Sequence, residues 1–509
     1  MSAKRDMPLG ELLAGLAPVP AREIRISDLA LDSREVSPGS LFFALKGTRQ
    51  HGLEFAPEAL RRGARAILWE SAPDVAPPVV TGEVFAAEIA GLSALVGAIA
   101  DRFFGAPTGH LQVTGITGTN GKTTCAWLLA GALARLGGRA VYLGTLGLGT
   151  PPALRPATHT TPDAISVHRD CAALLEQGAR SLCMEVSSHA LAQGRVGAVR
   201  FAAAAFTNLT RDHLDYHGTM QAYGEAKALL FTHAPIGHAV INVGDRFGQD
   251  LARRVPGSVP LTRVRADGRP VDITPAIQDG SRASPRALYA TAIRSESGGL
   301  FVEFDGSFGP GTLRTPLIGR FNAENLLVVL ALLLSLEVPL GDAIDALAAC
   351  TAPPGRMQAV RGGAGRPLAV IDYAHTPDAL AKVLAAVREH CRGLVWCVFG
   401  CGGDRDPGKR PLMGEVADEY ADRVILTDDN PRSEAPEAIT AAIASGMRRH
   451  RPSIINDRRE AIRSALSQAG ARDLVLIAGK GHEDYQIHGG RRAPFSDQLE
   501  VQRHFGMAA

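Results

Sequence analysis

Residues 115–124, GITGTNGKTT, constrain this chain more than any other stretch, because the apolar run LQVTGI before them reads as a strand and TTCAWLLAGALARL after them reads as a helix. The stretch closes on Gly121, Lys122 and Thr123 and opens from Gly115 or from Gly118, a glycine-rich phosphate cradle of the P-loop kind. In that setting backbone N–H groups and the helix N-terminus face one anion. Lys122 is then placed to neutralise the β- and γ-phosphates of a nucleoside triphosphate, and the Thr123 hydroxyl to ligate Mg2+. A turn that happens to carry Lys-Thr-Thr is the ordinary alternative; element order, glycine spacing and the Lys-Thr pair all favour phosphate.

Composition narrows the class. A chain of 509 residues is too long for one hydrophobic core, and about three domains are expected. Hydrophobic residues at 46% and charged residues at 21% describe a soluble globular protein. Lys plus Arg at 54 against Asp plus Glu at 52 leaves only +2, so no basic field for nucleic acid exists and any polyanion is met locally. The seven cysteines form no CxxC set, and the closest pair, Cys397 and Cys401, lacks further ligands at zinc spacing, which fits a reducing cytosol. The apolar run LLVVLALLLSL from Leu326 is too short to span a bilayer and predicts a buried helix. The opening MSAKRDMPLG lacks the apolar core of a signal peptide.

The predicted fold is α/β in three domains. Residues 1–106 mix short strands, turns and helical stretches and read as a small N-terminal α/β domain. Residues 107–353 alternate apolar strands (LQVTGI, SLCMEV, FAAAAFTNL, HAVINVG) with helices, the pattern of a mainly parallel, P-loop NTPase-like sheet. Within them, 260–316 read instead as an antiparallel appendage rich in turns. After a linker at 351–355, residues 354–509 carry LAVIDY, GLVWCVFG, RVILTD and LVLIAG between helical stretches, a second, Rossmann-like domain with ligands expected at its strand ends.

The string TGTNGKT, read from Gly118, resembles the Mur ligase family, ATP-dependent enzymes that form amide bonds. The resemblance implies ATP contacts at Gly118, Thr119, Asn120, Gly121, Lys122, Thr123 and Thr124. Glu185 ends the apolar strand SLCME, and a carboxylate there can hold Mg2+ beside Thr123. The segment DHLDYH is similar to a family motif whose histidine, here His213, ligates magnesium. YGEAKALLF is similar to the family pattern whose lysine, here Lys227, is carbamylated by CO2; by spacing alone it is an ordinary helix lysine. Carbamylation needs a neutral amine, hence burial near cations. By the same resemblance Asn322 and Asn325 of FNAEN contact adenine, and Arg356 and Asp372 contact phosphate and ribose. Catalytic roles fall on Lys122, Lys227 and His213.

CGGDRDPGKRP, DDNPRSE and GKGHE narrow the resemblance to the branch of the family that acts on UDP-N-acetylmuramoyl-L-alanyl-D-glutamate and adds meso-diaminopimelate. The match runs in order from DSR at Asp32 to GKGHE at Gly479. It implies diaminopimelate contacts at Arg405, Asp429, Asn430, Pro431, Arg432, Gly479 and Glu483. Diaminopimelate differs from lysine by a distal carboxylate, and Arg432 offers that group a planar bidentate partner. The same residues also read as a turn before the helix PEAITAAIASGM, with Ser433 or Glu434 near its cap. For the UDP-linked substrate the resemblance implies Leu31, Ser33, Thr160, Thr161, Ser187, Gln193 and Arg195. His159 departs from the asparagine of some members, and its role stays open.

The implied reaction activates the substrate's D-glutamate carboxylate as an acyl phosphate with ATP and Mg2+, then passes it to the amine. Closure about the linker near Pro353 is expected to bring the reactants together and exclude water. Two other readings remain at this point: a sister ligase adding lysine or a dipeptide, and a nucleotide-regulated binding protein. A bacterial, cytoplasmic monomer that binds neither nucleic acid nor membrane is expected.

Overall fold

The computed structural model describes residues 6–18, 23–47, 50–72, 75–80, 82, 84–157, 159–271, 285–296 and 298–507. Part of the expected antiparallel appendage, residues 272–284, lies outside them, as do residues 1–5 of the opening segment. Two compact units are present, one built on Met1–Arg263 with Ala331–Val338, the other on Ala287–Leu330 with Pro339–Ala509. The stretch Ala287–Leu330 thus groups with the second unit, whereas a border near residue 353 assigns it to the middle part.

In the first unit, strands Asp28–Ala30, Ser40–Ala44, Ala66–Trp69 and Phe85–Glu88 form a four-stranded parallel sheet in chain order. The helix Leu92–Phe103 buries Leu92, Val96, Ile99, Ala100 and Phe103, one stripe at helical spacing. The larger sheet follows. We label its strands β1 (Gln112–Thr117), β2 (Ala140–Gly144), β3 (Ser181–Glu185), β4 (Phe201–Phe206) and β5 (Ala239–Asn242). They lie in the order β2-β3-β1-β4-β5, all parallel. Their continuous apolar runs fit strands covered on both faces. Two helices matter for the site: α1 (Lys122–Arg135), which starts straight after Gly121, and α2 (Met220–Thr232).

The second unit begins with an antiparallel meander, Arg286–Glu296, Gly299–Gly306 and Gly311–Thr315. The helix Asn322–Ser335, whose residues from Ala331 on group with the first unit, is buried on every side from Leu326 to Leu333, as its unbroken apolar run predicts. Among the described residues no helix is long and apolar enough to cross a membrane. A doubly wound sheet follows. Its parallel strands β6 (Leu368–Asp372), β7 (Val395–Phe399), β8 (Arg423–Leu426) and β9 (Leu474–Ala478) stand in the order β6-β9-β7-β8, with Gln358–Arg361 antiparallel at one edge. Helices Pro377–His390, Lys409–Tyr420 and Pro436–Ala444 pack on one face, and Arg458–Gln468 and Asp497–Phe505 on the other. The loops after all four parallel strands gather at one sheet end, where open α/β sheets bind ligands.

Candidate active site

The phosphate loop joins β1 to α1 and is held by the chain that follows β4. Thr119 N donates to Asn208 O and Asn120 N to Asn208 Oδ1, while Thr207 Oγ1 donates to Asn120 O at 2.6 Å. Gly118 has φ +147°, and a Cβ there would stand 1.9 Å from Thr207 Oγ1, so only glycine allows this approach. Lys122 Nζ turns back onto its own loop, 2.9 Å from the carbonyls of Gly118 and Thr119.

Glu185 ends β3 wholly buried, and its carboxylate is the hub of the site. Thr123 Oγ1 lies 2.9 Å from both of its oxygens; Tyr142 OH and Thr145 N donate to Oε1 at 2.5 and 2.9 Å. A Cβ on Gly144 would meet Oε1 at 2.2 Å, which explains a glycine at the end of β2. The Thr123 and Glu185 oxygens are hard donors side by side, the pair a P-loop magnesium site uses. No group of three or more His, Cys, Asp or Glu in a metal-holding arrangement occurs among the described residues.

Lys227 lies on α2 with 1% of its surface exposed, its Nζ donating to Gly118 O at 2.9 Å and standing 4.3 Å from the centre of the Tyr223 ring. Burial, and then the charge of Lys122, pull its pKa down to about 6, so that the amine is largely neutral at pH 7. His213, at φ +51°, packs its ring against His189 (4.9 Å) and Tyr223 (6.0 Å), beside the tyrosine that covers Lys227. Two histidines assigned no role above, His189 and the last residue of DHLDYH, His217, complete this cluster. His189 touches the rings of Tyr216 and His217, and His217 Nε2 lies 3.0 Å from Ser188 Oγ. Both are held below the usual histidine pKa, burial being the larger cause.

Five residues expected at the UDP-linked substrate converge on Glu185. Thr161 Oγ1 donates to the Glu185 carbonyl and accepts from Ser187 N; Arg195 Nη1 donates to Thr161 O, and its other nitrogens to Gln193 Oε1. Thr160 reaches the same hub through Thr145, hydroxyl to hydroxyl at 3.1 Å. Ser187 Oγ is taken by Ala190 N as a helix cap. Leu31 and Ser33 are not joined to this network by a hydrogen bond among the described residues: Ser33 Oγ donates to Glu58. His159 is exposed.

In the second unit Asn325 Nδ2 donates to Asn322 Oδ1, and Asn322 Nδ2 to Ile318 O. Asp372, at the end of β6, accepts from Met357 N and Ala374 N; burial raises its pKa most, opposed by Arg356. Arg356 lies over the Tyr373 ring at 4.9 Å. The loops after β7, β8 and β9 then bring together every residue expected at the amino-acid site. Arg432 (φ +54°) donates from Nη1 to Gly403 O, and its backbone pairs with Ile487 and Gly489. A Cβ on Gly402 would stand 2.8 Å from Arg432 Nη1 and 3.6 Å from Arg405 Cγ, so both guanidinium stems flank that glycine. Gly479 has φ +112°, and a Cβ on it would press Asp429 Oδ2 at 2.7 Å. Asn430 Nδ2 donates to Glu483 Oε2 at 2.9 Å. Burial is the main cause raising the Asp429 pKa, with Arg458 and Lys480 opposing it.

Helix Pro436–Ala444 is capped by Ala435 without a side-chain hydrogen bond, so Ser433 and Glu434 stand near the cap, as the turn reading has them. Ser433 Oγ bonds Asp404, and Glu434 takes the fork of Arg410.

Comparison with known proteins identifies the family. Three family descriptions match the chain: Mur ligase family, catalytic domain (25–102), Mur ligase middle domain (116–333) and Mur ligase, glutamate ligase domain (355–481). A UDP-N-acetylmuramoyl-L-alanyl-D-glutamate–2,6-diaminopimelate ligase of Alkalilimnicola ehrlichii is 47% identical over 94% of this chain and 95% of its own. The Pseudomonas aeruginosa protein of the same name is 45% identical over 98% of each. A solved structure under that name superposes with a TM-score of 0.72 at 35% identity, covering 98% of this chain and 99% of its own.

Proposed function

This chain belongs to the Mur ligase family of ATP-dependent, amide-forming ligases, and from that premise we propose that it joins meso-diaminopimelate to UDP-N-acetylmuramoyl-L-alanyl-D-glutamate in peptidoglycan precursor synthesis. The observation that carries the acceptor assignment is the cluster of loops after β7, β8 and β9. It sets two carboxylates, Asp429 and Glu483, the Arg432 guanidinium and the stem of Arg405 around one sheet end, a complement to an amino-acid head group with both charges. We propose domains at 1–106, 107–353 and 354–509, following the three matched segments.

A carboxylate does not react with an amine while hydroxide is the leaving group. The D-glutamate γ-carboxylate therefore attacks the γ-phosphorus of ATP, ADP leaves, and an acyl phosphate forms. The amine of diaminopimelate, in its neutral form, attacks the acyl carbon; phosphate leaves from the tetrahedral intermediate and the amide remains. Lys122 is assigned to the transferring phosphate, its ammonium exchanging the Gly118 and Thr119 carbonyls for phosphate oxygens. Arg195 and Thr161, tied to Glu185 through one network, hold the UDP-linked peptide with Thr160, Ser187 and Gln193; Leu31 and Ser33 take the uridine. Asn322, Asn325, Arg356 and Asp372 take the adenosine and phosphates.

Thr123, Glu185, His213 and a carbamylated Lys227 are the residues assigned to Mg2+, which when bound screens the repulsion between carboxylate and triphosphate. Lys227 fits carbamylation, since a buried amine with its pKa near 6 is a nucleophile for CO2 at neutral pH. We assign the enzyme to the bacterial cytoplasm as a monomer.

The test is ADP release by the purified protein. Release is expected only when UDP-dipeptide and diaminopimelate are both present; equal release from ATP alone marks an uncoupled nucleotide switch and overturns the ligase mechanism.

A further inference from the structure

Lys480 is the second residue of GKGHE and follows the Gly479 that makes room for Asp429, yet no role above uses it. Its side chain is 0% exposed. Nζ stands 3.2 Å from Asn430 Oδ1, 3.2 Å from Glu483 Oε2 and 3.6 Å from Asp429 Oδ1, with the Tyr485 ring 5.4 Å away. One buried cation therefore touches three of the residues assigned to the amino-acid acceptor.

We propose that Lys480 is a positioning residue for the acceptor, its ammonium fixing Asp429, Asn430 and Glu483 in the arrangement that receives the ammonium group of the amino acid. The inference rests on the acceptor assignment above. Three observations support it. First, the Asn430 amide is committed to the protein: Oδ1 accepts from Lys480 and from Ile487 N, and Nδ2 donates to Glu483. Its amide plane is thereby set by Lys480 on one side and the strand Tyr485–His488 on the other. Second, both donors to Glu483 fall on Oε2. Among the described residues Oε1 takes no hydrogen bond, and it is the oxygen left for a ligand. Third, Asp429 and Glu483 face one another through Lys480. Two carboxylates that share a site without a cation take up a proton, and a protonated pair attracts an ammonium less. A buried charge with hydrogen-bonded partners holds geometry, whereas losing it strands the partners.

The cation could instead serve stability alone, in which case its loss lowers the amount of folded enzyme without selecting one substrate. Steady-state kinetics of the full-length enzyme separate the two. For Lys480→Met the KM of diaminopimelate is expected to rise about ten- to a hundredfold, with the KM values of ATP and UDP-dipeptide within about twofold of wild type. Lys480→Arg keeps the charge and is expected to recover part of that loss. If Lys480→Met does not fold, Lys480→Arg alone decides, by the same selective rise. Glu483→Gln made in both backgrounds is expected to cost less beside Lys480→Met than in the wild type, because the pair acts as a unit. An unchanged diaminopimelate KM, or a parallel rise for all three substrates with multiplying Glu483 effects, overturns the proposal. A wild-type enzyme that turns over diaminopimelate while the variants behave so leaves the acceptor assignment standing; a wild-type enzyme that does not use diaminopimelate overturns both.

Discussion

Two lysines are buried to the same degree in this protein, and their surroundings make them different reagents. Lys227, 1% exposed, has a backbone carbonyl, an aromatic face and another lysine for company; among the described residues no carboxylate comes within ion-pair reach. Its proton is lost near pH 6, leaving an amine able to take CO2. Lys480, 0% exposed, has ion pairs with Asp429 and Glu483. Burial alone does not decide what a lysine is for; the partners decide. On the reading proposed above, the first unit's buried lysine is the site of a carbamate and the second unit's orients the acceptor.

The largest effect expected on this contrast comes from a third lysine, Lys122, half-buried at the end of the phosphate loop. Lys122→Ala deletes a charge and no core volume, so the protein should fold normally and lose kcat on the order of 10³-fold. Near-normal turnover in a folded variant would remove the phosphate assignment. Next, Lys227→Ala is expected to lose activity on the order of 10²-fold, with a small carboxylic acid restoring part of it. The sign of the pH dependence follows from the lowered pKa: above about 6 the amine is neutral and the carbamate forms, below it the ammonium prevails and the carbamate is lost. A carbamate carbon signal from labelled bicarbonate should therefore fade as pH falls through that value. Its absence at pH 8 in active enzyme would break the contrast between the two lysines.

Much of this was legible in short strings. Gly118 to Thr123 sits between strand and helix as its flanks demanded, and Glu185 ends its strand beside Thr123. DNPR and GKGHE meet after β8 and β9. What stayed hidden depended on partners far along the chain. Lys480 is 50 residues from Asn430, and nothing local marks its side chain as buried. Neither His189 nor His217 has a role assigned from the sequence, and the fold brings His189 against His213 and His217. The partners of Ser433 and Glu434, Asp404 and Arg410, lie 29 and 24 residues away, so these bonds do not show in the local string.

Smaller effects sharpen the two sites separately. Arg432→Ala removes a charge-assisted pair with the distal carboxylate of diaminopimelate, worth about 1.5–3 kcal/mol per bond. The kcat/KM preference over lysine should fall roughly ten- to a hundredfold, chiefly by harming diaminopimelate use. Competition assays with both amino acids give the ratio, and an unchanged ratio excludes Arg432 from the contact. Smallest is Tyr142→Phe, which takes one of the donors from Glu185 Oε1 while Thr123 and Thr145 remain. A loss of about 1 kcal/mol in apparent Mg2+ affinity is expected, read from activity against Mg2+ concentration, with no change in the lysine-to-diaminopimelate ratio.

The protein's central task is to make an acyl phosphate and pass it to a selected diaminopimelate. The most direct measurement supplies wild-type enzyme with ATP, UDP-N-acetylmuramoyl-L-alanyl-D-glutamate and equal concentrations of meso-diaminopimelate and L-lysine, and weighs the products by mass spectrometry. The account predicts UDP-tripeptide carrying diaminopimelate almost alone, with one ADP released per amide formed. Equal amounts of the two tripeptides, or ADP without either, would contradict it.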